Sequence, residues 1–116
     1  MAIERKHVNN RMSQVVVNGG LVYLAGQVAQ NARGGSVAEQ TRDILARIDQ
    51  LLAEAGTEKS KILTASVWLA DISKFDEMNS VWDAWVAPGN PPARACVESK
   101  LADPAFTVEI MVIAAQ

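Results

Sequence analysis

Apolar positions recur along this chain with two different periods. In "QVVVNGGLVYLAGQV" two apolar runs flank Asn18-Gly19-Gly20. An Asn-Gly pair tolerates the positive φ of a tight turn, so the stretch predicts a β-hairpin. "SVAEQTRDILARIDQLLAEAG" changes to the helical period: Val37, Thr41, Ile44, Leu45, Ile48, Leu51, Leu52 and Ala55 form one stripe. Ser36 and Glu39 make an S-x-x-E capping box, and Gly56 stands where the helix should stop. "KILTASVWLAD" returns to alternation, with Leu63, Ala65, Val67 and Leu69 predicted on one face and Thr64, Ser66 and Trp68 on the other. A second helix is expected from about Ser73, its predicted N-cap, with Phe75, Met78, Val81, Trp82 and Trp85 inward and Pro88-Gly89 closing it. "PPARACVESKLADPAFTVEIMVIAA" supplies two more strands, and a further one is expected near Glu4 to Val8.

The order hairpin, helix, strand, helix, hairpin predicts a single α+β domain over residues 1–116, a mixed β-sheet with two helices packed on one face. Two helices can cover only one side of such a sheet. Yet the last strand is apolar on both, with Val108, Ile110, Val112 and Ala114 on one side and Met111 and Ile113 on the other. Strands of that kind are buried on both faces, so the open face, Trp68 included, is expected to meet another subunit.

Composition narrows the partners. Hydrophobic residues make up 49% and charged residues 21% of the 116 positions, a globular balance. The net charge of −2 and the lack of a basic stripe argue against nucleic acid, and Trp68, Trp82 and Trp85 read as packing residues rather than a base-stacking platform. A lone cysteine, Cys96, and a lone histidine, His7, make neither a disulfide nor a zinc site. Cys96 reads as a small buried hydrophobe and His7 as a surface residue. No apolar run has the length of a membrane span or the form of a signal peptide, so a cytoplasmic protein is expected. "NGG" and "RGG" lack the spacing of a phosphate loop and read as turns.

Two charges stand out against this background. Arg94 lies between two alanines in one C-terminal strand, and Glu109 is the only polar side chain in the run Val108 to Ala114. An unpaired buried charge costs several kcal/mol, so each needs a partner or a task. If the two strands pair as an antiparallel hairpin, an odd register sum puts Arg94 and Glu109 on the same face, and an even sum strands the glutamate among apolar neighbours. The bland alternatives are a sheet salt bridge, or Arg94 pairing with Glu98. The sharper one is an anion pocket, because a guanidinium binds a planar carboxylate through two parallel N–H bonds. Placement of the two side chains on opposite sides of their sheet would remove the basis for such a pocket.

The same residues carry a resemblance. "PPARACVESKLADPAFTVEIMVIAA", "LAGQVA" and "FDEMNSVWDAW" together resemble the Rid/YjgF family, the reactive intermediate deaminases, over nearly the whole chain. The resemblance implies a chorismate-mutase-like fold assembled as a homotrimer with clefts between subunits, and no metal or organic cofactor. It implies hydrolysis of short-lived 2-imino and 2-enamino acids, of the 2-iminobutanoate and 2-iminopropanoate kind, to 2-oxo acids and ammonia. By position, Arg94 would hold the substrate carboxylate and Glu109 would orient or activate the attacking water. Cys96 and Asn79 would line the cleft, and Gly26 would turn its backbone to the ligand. Counting back from Gly26-Gln27, Met12 stands where the best-known subgroup carries a tyrosine, which implies a sibling subgroup.

Two rival readings accompany the hydrolase. One is a non-catalytic protein that binds a carboxylate metabolite in the same cleft, and retention of both Arg94 and Glu109 weighs against it. The other is a ribonuclease or translation inhibitor, an activity ascribed to some family members, against which the acidic composition counts.

Overall fold

The computed structural model describes residues 2–116. The elements follow in the order β1 (Glu4–Val8), β2 (Ser13–Asn18), β3 (Leu21–Leu24), β4 (Gln27–Val28), α1 (Val37–Glu54), β5 (Ile62–Leu69), α2 (Phe75–Trp85), β6 (Ala93–Glu98) and β7 (Val108–Ala115). The strands form one sheet in the order β1-β2-β3-β7-β5-β6, with β4 also paired to β7. Only β5 and β6 run parallel, so the sheet is mixed, and both helices pack on one face of it.

Local chemistry explains the elements that match expectation. Asn18 pairs with Leu21, which leaves Gly19 and Gly20 as the hairpin loop at φ 60° and 79°. Two successive positive φ values define the mirror-image turn that suits the strand twist. At the start of α1, Ser36 Oγ accepts from the Glu39 N–H at 3.1 Å and the Ser36 N–H donates to Glu39 Oε1 at 3.1 Å. Ser36→Ala is expected to cost about 1 kcal/mol, seen as a lower urea midpoint with an unchanged slope. Ile44, Ile48, Leu51 and Leu52 of α1 are wholly buried, in one cluster with Val15, Val22, Val67 and Ile110 of the sheet.

The structure corrects the chain's predicted organisation in several places. A bulge between Ile62 and Thr64 shifts the phase of β5, so Ile62 joins Ala65, Val67 and Leu69 inside while Leu63 is 47% exposed. Ser73 is not the cap of the second helix. It sits in a 3-10 turn, Ile72–Lys74, which Asp71 caps by accepting from the Ser73 N–H at 2.9 Å, and Lys74 precedes α2 without a side-chain cap bond. Phe75, expected inward, opens α2 at the surface, whereas Met78 and Trp82 are buried. The apolar run after the first hairpin breaks at Ala25-Gly26 into β3 and the short β4.

The largest correction concerns the C-terminal strands. β6 and β7 are not a hairpin, because β5 lies between them and bonds both. The segment β5–α2–β6 is a crossover unit, the connection that a parallel pair needs. Ser99–Thr107 then carries the chain past β5. Its ends are tied to the end of that strand by Ser99 N–H to Leu69 O at 2.9 Å and Ala70 N–H to Thr107 O at 3.0 Å.

Candidate active site

Paired residues in neighbouring strands point to the same side of a sheet, and alternate residues to opposite sides. Val112, Ala65 and Arg94 form one such row, and Ile110, Val67 and Cys96 another. Both rows face the helices. Val28, Glu109, Trp68 and Val97 form a row on the open side. Arg94 and Glu109 therefore lie on opposite faces of one sheet. The expected same-face hairpin register is overturned, and with it a pocket built by both side chains of a single chain. Its physical cause is the insertion of β5, which replaces a direct pairing by two successive ones.

The residues divide into two groups. On the helix face Arg94 lies under α2, half-buried, and its Nη1 donates to Asn79 Oδ1 at 2.8 Å. Its guanidinium carbon is 5.0 Å from the Trp82 ring centroid and 5.7 Å from that of Phe75, and Nη1 approaches Met78 Sδ at 4.0 Å. No carboxylate pairs with it among the described residues. The alternative partner Glu98 instead accepts from the Ile72 N–H at 3.0 Å. Cys96 sits two positions along β6 on the same side, and burial pushes its thiol pKa up despite the opposing field of Arg94. This favours the neutral thiol, as its reading as a small hydrophobe requires.

On the open face Glu109 is half-buried, with no hydrogen-bond or ion-pair partner among the described residues. Burial alone raises its carboxyl pKa above the ordinary glutamate range. Gly26, at the break between β3 and β4, lies directly against it. A Cβ at position 26 would overlap Glu109 Oε2 and stand 3.1 Å from its carboxyl carbon. Only glycine leaves that carboxylate where it is. Because the obstacle is the free end of a side chain, Gly26→Ala is expected to fold with a nearly unchanged melting temperature. The carboxylate would be displaced, and a crystal structure of the variant checks this.

Met12 is an exposed residue of the β1–β2 turn, its N–H donating to Asn9 Oδ1 at 2.9 Å. Three concavities stand out on the chain, of about 400, 280 and 340 Å³, and neither Arg94 nor Glu109 lines any of them. The aromatic surroundings of Arg94 were not foreseen. The signal for them was present, since Phe75, Asn79 and Trp82 stand at i, i+4 and i+7 on α2, one helical face with a polar residue in the middle.

Residues 3–116 match the family model described as Endoribonuclease L-PSP. The chain is 46% identical to a RutC family protein of Haemophilus influenzae over 114 residues, covering 98% of each. It is 41% identical to the RutC family protein YoaB of Escherichia coli, covering 99% of each. Its structure is similar to that of a YjgF family protein from Neisseria meningitidis, with a TM-score of 0.96 at 46% identity over 100% of this chain and 96% of the other. Yeast Mmf1 shares the architecture at a TM-score of 0.83 and 27% identity, over 94% of this chain and 90% of that one. By sequence and by fold the chain belongs to the Rid/YjgF family.

Proposed function

We propose that the chain hydrolyses reactive 2-imino and 2-enamino acids to 2-oxo acids and ammonia, in clefts between the subunits of a homotrimer. Arg94 of one subunit would face Glu109 of the next. The observation that carries this reading is the guanidinium of Arg94: half-buried, steadied by Asn79 and without a carboxylate partner. A half-buried cation so placed is a receptor for a carboxylate from outside the chain. Family membership supplies the reaction class. The apolar open face, where Trp68 shares Glu109's row and Tyr23 and Ile113 form another, supports the assembly.

The chemistry asks little of the protein, because an iminium carbon is already electrophilic. Arg94 would fix the substrate carboxylate through two N–H bonds, while Asn79 holds the guanidinium in plane. Glu109 would take a proton from water as its oxygen adds to C2. Glu109 would then return that proton to the carbinolamine nitrogen, the C2–N bond would break as the hydroxyl becomes the carbonyl, and the hydroxyl proton would leave with ammonia as ammonium. Main-chain groups at Cys96 and Gly26 would complete the lining. Neither a metal nor an organic cofactor is needed, and we place the reaction in the cytoplasm, beside the pyridoxal-phosphate enzymes that release such imines.

The test is a coupled assay. An amino-acid oxidase generates 2-iminopropanoate or its homologues, and semicarbazide traps what survives. The protein is expected to suppress the trapped signal, and no suppression across several amino acids overturns the reading. Binding of 2-oxo acids without suppression would instead identify a carboxylate-binding protein. The description of the matching family model favours RNA cleavage as a second reading. Cleavage that persists through further purification and disappears in a single-site variant would establish it.

Protonation of Glu109 gives a pH dependence. A base must be ionised to act, so kcat/KM is expected to fall on acidification at a pH above the ordinary glutamate range. Stability follows with the opposite sign. A folded-state pKa above the unfolded value favours folding below the unfolded pKa, and that contribution is lost as pH rises through the folded pKa. Glu109→Gln is therefore expected to be more stable than wild type near neutral pH and no more stable in acid, as thermal melts across that window would register.

A further inference from the structure

Between α1 and α2 lies an open trough of about 400 Å³, lined by neither Arg94 nor Glu109. Buried Leu45 and half-buried Val81 give it an apolar floor, and the exposed Ala46 and Ala84 add only methyl groups to its lining. Trp85 stands as one wall, and its Nε1–H donates to Asp49 Oδ2 at 2.9 Å, which fixes the plane of the indole. Lys59 Nζ lies 5.3 Å from the centroid of that ring, and Arg42 stands in the same lining. Among the described residues neither cation has a carboxylate within ion-pair distance. The one acidic group in the trough, Asp49, is already engaged by the indole.

We propose that this trough binds a small organic carboxylate with a flat apolar body. The volume is that of a small-molecule site, and an apolar floor with a few convergent polar groups is the usual form of one. Trp82 packs against the indole at 5.4 Å between centroids and Lys59 lies over its ring, so a flat body stacks on Trp85 by moving the flexible Lys59 ammonium to the ring's edge. Two unpaired cations against one engaged carboxylate give the lining a net positive charge. A ring laid on Trp85 would bring its carboxylate to Lys59 and Arg42, each able to make a charge-assisted hydrogen bond. The site shares no lining residue with the proposed imine chemistry and meets it only through the contact of Trp85 with Trp82.

The test follows the indole Nε1–H resonance of Trp85 in the ¹⁵N-labelled full chain, assigned by its disappearance in Trp85→Phe. The probes are 2-naphthoate and its uncharged counterpart, 2-naphthamide. Naphthoate is expected to shift the resonance saturably, with the amide at least about tenfold weaker, the contribution of one charge-assisted contact. Paired Arg42→Ala and Lys59→Ala substitutions are expected to weaken naphthoate by a similar factor. Ala84→Leu, at an exposed helical position, is expected to abolish binding while leaving the thermal melt unchanged. Arg94→Ala should still bind, which separates this trough from a carboxylate held in the imine cleft. Unsaturable shifts, equal affinity for acid and amide, or binding lost in Arg94→Ala and kept in Ala84→Leu would each overturn the proposal.

Discussion

Arg94→Ala and Glu109→Gln are each expected to leave a folded protein that no longer lowers the semicarbazide-trapped signal, and co-assembly of the two is expected to restore activity. Loss of two charge-assisted bonds to the substrate carboxylate, about 1.5–3 kcal/mol each, should lower kcat/KM about 10²- to 10⁴-fold. The restoration follows from the sheet. Arg94 projects toward the helices and Glu109 toward the open side, so a cleft using both draws them from different chains. In a closed ring assembled at random from equal amounts of the two variants, a cleft is intact only when the arginine side comes from Glu109→Gln and the glutamate side from Arg94→Ala. That happens for about one cleft in four. Mixed rings verified by native mass spectrometry that remain inactive would refute the shared cleft.

The second large effect is expected at Ile113. It occupies the middle of an open-face row made by Val16, Tyr23, Ile113, Thr64 and Ala93 and is only half-buried within its own chain. An aspartate there costs little in a lone subunit, where water reaches it. In the centre of a subunit contact its desolvation would cost several kcal/mol. Ile113→Asp is thus expected to sediment as single, folded, inactive subunits, although Arg94 and Glu109 are both intact. Ile113→Leu serves as the control that keeps the assembly. An Ile113→Asp protein that sediments like wild type would show that this face is not the contact.

Those expectations rest on a site that was only partly legible in the amino-acid order. The hairpin at Gly19-Gly20, the boxed start of α1 and its buried stripe were readable because each is decided by residues a few positions apart. The phase of β5 was not. A bulge depends on how a strand meets its partners, and nothing in "KILTA" announces that Leu63 will turn outward. The pairing of the last two strands failed for a related reason. Two strands adjacent in sequence suggest a hairpin, but Ser99–Thr107 is longer than a tight hairpin needs, and the strand before α2 was free to take the place between them. Arg94 and Glu109 stand out in the sequence because charge in an apolar strand demands an explanation. Their relative direction depended on a pairing that the local pattern does not encode. Asn79 became intelligible only when the crossover brought α2 over β6, within 2.8 Å of the guanidinium.

The back-to-back disposition of the arginine and the glutamate makes the catalytic unit, on the proposed reading, something that a solitary polypeptide does not possess. Specific activity should then fall on dilution once protein concentration drops below the dissociation constant of the ring, and recover on reconcentration. A freshly released chain would be inert toward metabolites until it met its copies. Such an enzyme would carry its own threshold of abundance, set by subunit association and not by any separate effector.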